Sequence, residues 1–122
     1  MPILEIELVA SGMEQRLPQE LTQALADASA QVFASPQGTT WVKTRVIPSD
    51  HYAEDHGRPP GVHPVFVTVL KSHIPESDAL DLEISRLTSA IAQVLNRPET
   101  HIHILYQPDA AGRVAFGGRL VR

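Results

Sequence analysis

Cysteine is absent from the chain. That excludes disulfides, a thiolate nucleophile and a zinc–thiolate site. Positive charge is scarce as well: 10 Lys and Arg stand against 14 Asp and Glu, for a net charge of −4. Such a balance argues against a surface built for nucleic acid or an anionic membrane. No apolar run approaches the ~20 residues needed to cross a bilayer. The first residues read as a strand, not as a basic-then-apolar secretory leader. These absences point to a soluble, cytoplasmic protein of ordinary composition, 43% hydrophobic over 122 residues, folded as one domain or two fused half-size units.

What is present is a repeat. Residues 1–8 read MPILEIEL and residues 63–70 read HPVFVTVL. An offset of 62 carries Pro2 onto Pro64, Ala30-Gln31-Val32 onto Ala92-Gln93-Val94, and Pro36 onto Pro98. Residues 3–9 alternate apolar and charged, the period of a strand with one drier face. A helix is expected from Met13 to Ala34, because Leu17, Leu21, Ala24, Leu25, Ala28 and Val32 recur at three- and four-residue steps. Pro18 sits early in it, where a missing N–H costs little. A second strand runs from Thr40 to Ile47. The second unit repeats the plan: strand 64–70, helix from about Glu76 to Asn96, strand 101–106. The Gly117-Gly118 pair marks a terminal turn or hairpin. Right-handed crossovers make the strands of each unit parallel. The fold class is therefore α/β (α+β): two β-α-β repeats, about 1–50 and 63–122, joined by a Pro/Gly-rich connector at 51–62. Their four strands form one sheet with both helices on one face. The other face needs a cover, which oligomerisation would supply.

Pro2 carries the chemistry. Removal of Met1, usual before proline, leaves a secondary amine on a rigid ring. An α-amino group ordinarily titrates near pH 7.7–8.0, and partial burial or nearby cations lower that value. A neutral amine then moves a proton α to a carbonyl, and a protonated one polarises the carbonyl or acts as an acid. The plain alternative is a first-strand residue without a ladder N–H. Pro64 is the internal control, since its nitrogen is an amide, so one site per chain is expected with the second unit as scaffold. Lys43 and Arg45, two apart, share a strand face. They suit a carboxylate, Arg45 through its planar fork, or else pair with Glu5 and Glu7. His101 and His103 also share a face, but two ligands with no third do not define a metal site. Tyr52, in the connector, offers a hydrogen bond to a substrate oxygen or is an ordinary loop residue.

The Met-Pro start, the β-α-β repeat and the Phe116-Gly117-Gly118 tail resemble the tautomerase superfamily: 4-oxalocrotonate tautomerase, its longer fused relatives and the macrophage migration inhibitory factor group. The length and the repeat are similar to a long, fused member. The resemblance implies a homotrimer with no cofactor and no metal, acting on a small carboxylated keto or enol compound, with Pro2 catalytic. It places Arg45 at the family's carboxylate-binding arginine, and His103 at the matching position of the second unit. Lys71 and His73 fall where fused relatives carry carboxylate-binding arginines. Val114, with Phe116 close by, falls near the hydrophobic wall of the tail. The family's other arginine falls on Gly12, so this chain lacks one contact for a diacid. Related proline-dependent dehalogenation, hydration or decarboxylation, or a trimer that keeps the fold without activity, remain the alternatives.

Overall fold

The computed structural model describes residues 2–13 and 16–122. Four strands form one sheet in the order β2-β1-β3-β4: β1 is Ile3–Val9, β2 Trp41–Ile47, β3 Val65–Leu70 and β4 Ile102–Tyr106. β1 pairs parallel with β2 and antiparallel with β3, and β3 pairs parallel with β4. Helices α1 (Gln19–Phe33) and α2 (Ser77–Leu95) pack side by side against one face. Leu4, Ile6 and Leu8 of β1 and Val65, Val67 and Val69 of β3 point at the helices and meet Leu25, Leu87 and Ile91 there, all essentially inaccessible to water. Each such side chain contributes roughly 1.5–3 kcal/mol by its burial.

Helix α1 begins later than the apolar stripe suggests, and residues 14–15 of the expected helix lie outside the described residues. Pro18 is extended (φ −57, ψ 147) and caps the helix, its carbonyl accepting from the Leu21 and Thr22 amides. Its ring disfavours the helical region for the preceding residue, which keeps Leu17 out of the helix. Connector residues 51–62 are held by Arg58, whose guanidinium donates to the Val62 carbonyl and the Ser49 hydroxyl and lies 5.7 Å from the Tyr52 ring centre. The tail folds as a hairpin, β5 (Ala115–Phe116) with β6 (Arg119–Leu120). Gly117 and Gly118 take the positive φ values, 58 and 85, that a two-residue hairpin turn of this hand requires.

The repeat contains a one-residue shift that the sequence alignment hides. Through the helix ends an offset of 62 holds. Ala34 and Asn96 both close their helices in the left-handed region, at φ 50 and 54. Ser35 N–H donates to the Ala30 carbonyl as Arg97 N–H does to Ala92, and Thr39 to Pro36 as His101 to Pro98. In the first strands the even offset fails, because it would match Leu4, which faces the helices, with Phe66, which faces away. A slip of one residue exchanges the two faces of a strand. Leu4 lies opposite Val42 and Val67 opposite Ile104. Val42 and Ile104 obey the offset of 62, so Leu4 corresponds to Val67, an offset of 63. Pro2 therefore corresponds to Val65, and Pro64 is not its structural counterpart.

Candidate active site

Pro2 opens β1 at the end of the sheet where β2 begins and where β3 and β4 finish. It is fully buried, and its carbonyl accepts from the Trp41 amide at 3.1 Å. Trp41 in turn meets Phe116 of the tail edge-to-face, ring centres 5.7 Å apart. The expected wall residue Phe116 thus reaches this end of the sheet through Trp41. Half-buried Val114 sits in the same tail segment, which is tied to the end of β3 by Ala110 N–H donating to the Lys71 carbonyl.

Lys71 follows β3. The antiparallel register pairs Ile3 with Leu70, so one step further brings Lys71 alongside Pro2. Val69 points at the helices, and by the strand's alternation Lys71 does too. Its ammonium lies 2.7 Å from Glu83 Oε1 of α2, both side chains largely buried at 16% and 13% exposure. The other carboxylate oxygen of Glu83 accepts from the Tyr106 hydroxyl of β4 at 2.5 Å. The Phe33 ring at the end of α1 sits 4.9 Å from the Lys71 ammonium. Four elements thus converge on one cation. Burial and the hydrogen bond to Glu83 hold the Tyr106 phenol far above its ordinary value, so it stays protonated and serves as a donor. Glu83, Tyr106 and Phe33 escaped the sequence reading. The available signal was Glu83 itself, a charge on the apolar stripe three residues after Leu80 and four before Leu87.

The remaining candidates lie elsewhere in the chain. Lys43 and Arg45 do share a face, the one turned away from the helices. There Lys43 pairs with Glu5 at 3.0 Å and Arg45 with Glu7 at 3.5 Å, all four side chains well exposed. Because β1 and β2 run parallel, Arg45 lies opposite Glu7, five residues and roughly 16 Å along the strand from Pro2. Within one subunit it cannot act on the Pro2 amine. His103 and Tyr52 flank Phe66 on the same outer face, with ring centres 5.6 and 5.7 Å from it. Tyr52 donates to Glu54, and that acceptor raises its phenol above the ordinary value. His73 is exposed and 3.9 Å from Asp109. His101 lies in a one-turn 3-10 helix rather than in β4, so it does not pair with His103 along a strand. Among the described residues no three His, Cys, Asp or Glu side chains group to hold a metal ion.

A small α+β chain with a buried proline opening its first strand, beside a clamped lysine, is thus defined. No protein-family model matches it, and no curated protein sequence does. Solved structures do. The F6 fused 4-OT wild type asymmetric trimer superposes with a TM-score of 0.69 at 18% identity, over 97% of this chain and 94% of that one. FG41 malonate semialdehyde decarboxylase inhibited by 3-bromopropiolate gives 0.68 at 20%, over 94% and 88%. Macrophage migration inhibitory factor from Oncomelania hupensis gives 0.73 at 18%, over 100% and 83%. The chain has the tautomerase fold.

Proposed function

We propose that this protein is a tautomerase in which Pro2, freed by removal of Met1, is the base that moves a proton α to the carbonyl of a small carboxylated keto or enol compound. The observation that carries this is the strand register that brings Lys71, its ammonium held by Glu83, alongside a buried Pro2 in a chain with this fold. Lys71 has three donors and gives one to Glu83, so it retains capacity for the substrate carboxylate while staying fixed. Trp41, Phe116 and Val114 supply the apolar wall. In the ketonising direction the lone pair of Pro2 takes the enol hydroxyl proton, the oxygen electrons close the carbonyl as those of the enol double bond move to carbon, and the protonated amine delivers its proton to that carbon.

The assembly belongs to the same reading. The sheet face away from the helices exposes Trp41 and Leu105, at 45% and 66%, and the fused 4-OT relative is a trimer. A homotrimer closed about this face would cover them. It would also carry Arg45, Lys43, Tyr52 or His103 of one subunit toward the Pro2 end of the next, with His73 at the rim of its own. Sedimentation should give three times the 13.4 kDa chain mass, and a stable monomer at micromolar concentration would contradict the trimer.

The test of function is ketonisation of phenylenolpyruvate and 2-hydroxymuconate by protein whose intact mass lacks methionine. Activity with an acid limb in kcat/KM below the normal α-amino range, which is roughly pH 7.7–8.0, supports the reading. Inactivity of the methionine-free protein on both compounds, or full activity with Met1 retained, sinks it.

A further inference from the structure

At the opposite end of the sheet from Pro2 lies a cleft of about 490 Å³. Its apolar floor includes Leu8, Leu21 and Leu95, and its rim includes Arg16, His63 and His101. A volume of this order suits a small organic ligand. The His63 Nδ1 atom is shielded from water and has no hydrogen-bond partner, and among the described residues the side chains of Arg16 and His101 make no hydrogen bond or ion pair. His63 is also held in place, because Arg97 Nη1 donates to its carbonyl and to that of Val9, both at 2.9 Å.

The repeat gives this cleft its meaning. By the offsets established above, Leu95 corresponds to Phe33, Leu21 to Glu83 and Leu8 to Lys71. The cleft is the second copy of the region that surrounds the clamped lysine, with the charged pair replaced by leucines and the space left open. Its counterpart of Pro2 is Val65, whose nitrogen is an amide and offers no base. We propose that this cleft is a binding site, without turnover, for a small carboxylate bearing a short apolar body. The carboxylate would sit against Arg16, His63 and His101, and the hydrocarbon on the leucines. A planar guanidinium and imidazole donors match the two carboxylate oxygens, and the leucine floor favours an apolar body over an inorganic anion. The inference does not depend on Pro2 chemistry, since it concerns binding at the other end of the sheet.

The experiment is an amide NMR titration of the full chain with hydrocinnamate, which has no enolisable ketone, and in parallel with inorganic phosphate. Saturable shifts at Ser11, Gly61, Asn96 and Arg97 are expected. Phosphate should bind at least about tenfold more weakly, because it makes no use of the apolar floor. The double variant Arg16→Ala/His101→Ala should weaken hydrocinnamate by about tenfold or more, the loss of charge-assisted contacts, and leave turnover at Pro2 unchanged. Shifts confined to the Trp41 and Lys71 end would overturn the proposal. So would far-end shifts that the double variant leaves intact, or phosphate binding as tightly as hydrocinnamate. A protein inactive on every enol that still binds hydrocinnamate at the far end would sink the proposed function and spare this site.

Discussion

The two ends of the sheet are built from the same local plan and have opposite interiors. At one end Lys71, Glu83 and Phe33 converge; at the other, Leu8, Leu21 and Leu95 occupy the corresponding places. The helix ends, their left-handed caps and the turns that follow are superposable hydrogen bond for hydrogen bond. The backbone therefore does not decide which end can do chemistry. Under the proposed function, three side chains and the N-terminal proline do. A buried ion pair is weak evidence for stability, since apolar residues of similar size often do as well. Keeping one beside Pro2 and leucines at the other end is a difference best explained by function.

The comparison can be broken by making the ends alike. Glu83→Leu alone should cost the most, about 3–5 kcal/mol, because it leaves Lys71 charged, buried and unpaired. Chemical denaturation would measure this. The triple variant Lys71→Leu/Glu83→Leu/Tyr106→Phe, which makes the Pro2 end resemble the other, should recover most of that stability. It should still lose kcat/KM by about 10- to 100-fold, the worth of a charge-assisted contact to the substrate. If the triple variant is as active as the parent, the lysine has no role at the site.

Much of this was legible beforehand, for identifiable reasons. Strand alternation in residues 3–9 and the stripe from Leu17 to Val32 are short-range patterns, and the elements followed, apart from the start of α1, where Pro18 overrode the stripe. The glycine pair at 117–118 announced its turn. The repeat was visible too, but its one-residue shift was not, because the matching prolines at 2 and 64 made the wrong alignment look right. Lys71 was a candidate through the strand it follows. Glu83 and Tyr106 were not, since Glu83 meets Lys71, and Tyr106 meets Glu83, only across the fold, 12 and 23 positions apart in sequence. Arg45 and Lys43 illustrate the converse: the sequence put them on one face, and the structure showed that this face leads away from Pro2.

Tyr106 sharpens the comparison with Tyr52. Folding raises the Tyr106 phenol well above its unfolded value of about 10, chiefly by burial. The folded state then keeps a proton that the unfolded state releases, so stability contributed by this group falls as pH rises above about 10, by up to about 1.4 kcal/mol per pH unit. Tyr106→Phe should flatten that alkaline slope. The Tyr52 phenol is raised too, by its Glu54 acceptor, but far less, so phenolate absorbance in an alkaline titration of the folded protein should report Tyr52 before Tyr106.

Smaller effects concern the halves as scaffolds. Ser29 of α1 stands where α2 has Ile91; it is fully buried and its hydroxyl has no partner. Ser29→Ala should leave stability unchanged or raise it by about 1 kcal/mol, since no hydrogen bond is lost. Lys43→Ala and Arg45→Ala break exposed pairs and should each change subunit stability by less than about 1 kcal/mol, with the difference fading in high salt.

The central claim is that Pro2 is a reactive neutral amine beside Lys71, and covalent labelling tests it most directly. 2-Oxo-3-pentynoate, an alkynyl keto acid, forms a C–N bond with a neutral amine by conjugate addition. The account expects one adduct per chain at neutral pH, on the peptide that begins with Pro2, formed more slowly in Lys71→Met. Methionine-free protein that gains no adduct on Pro2, or that is labelled equally fast without Lys71, would contradict it.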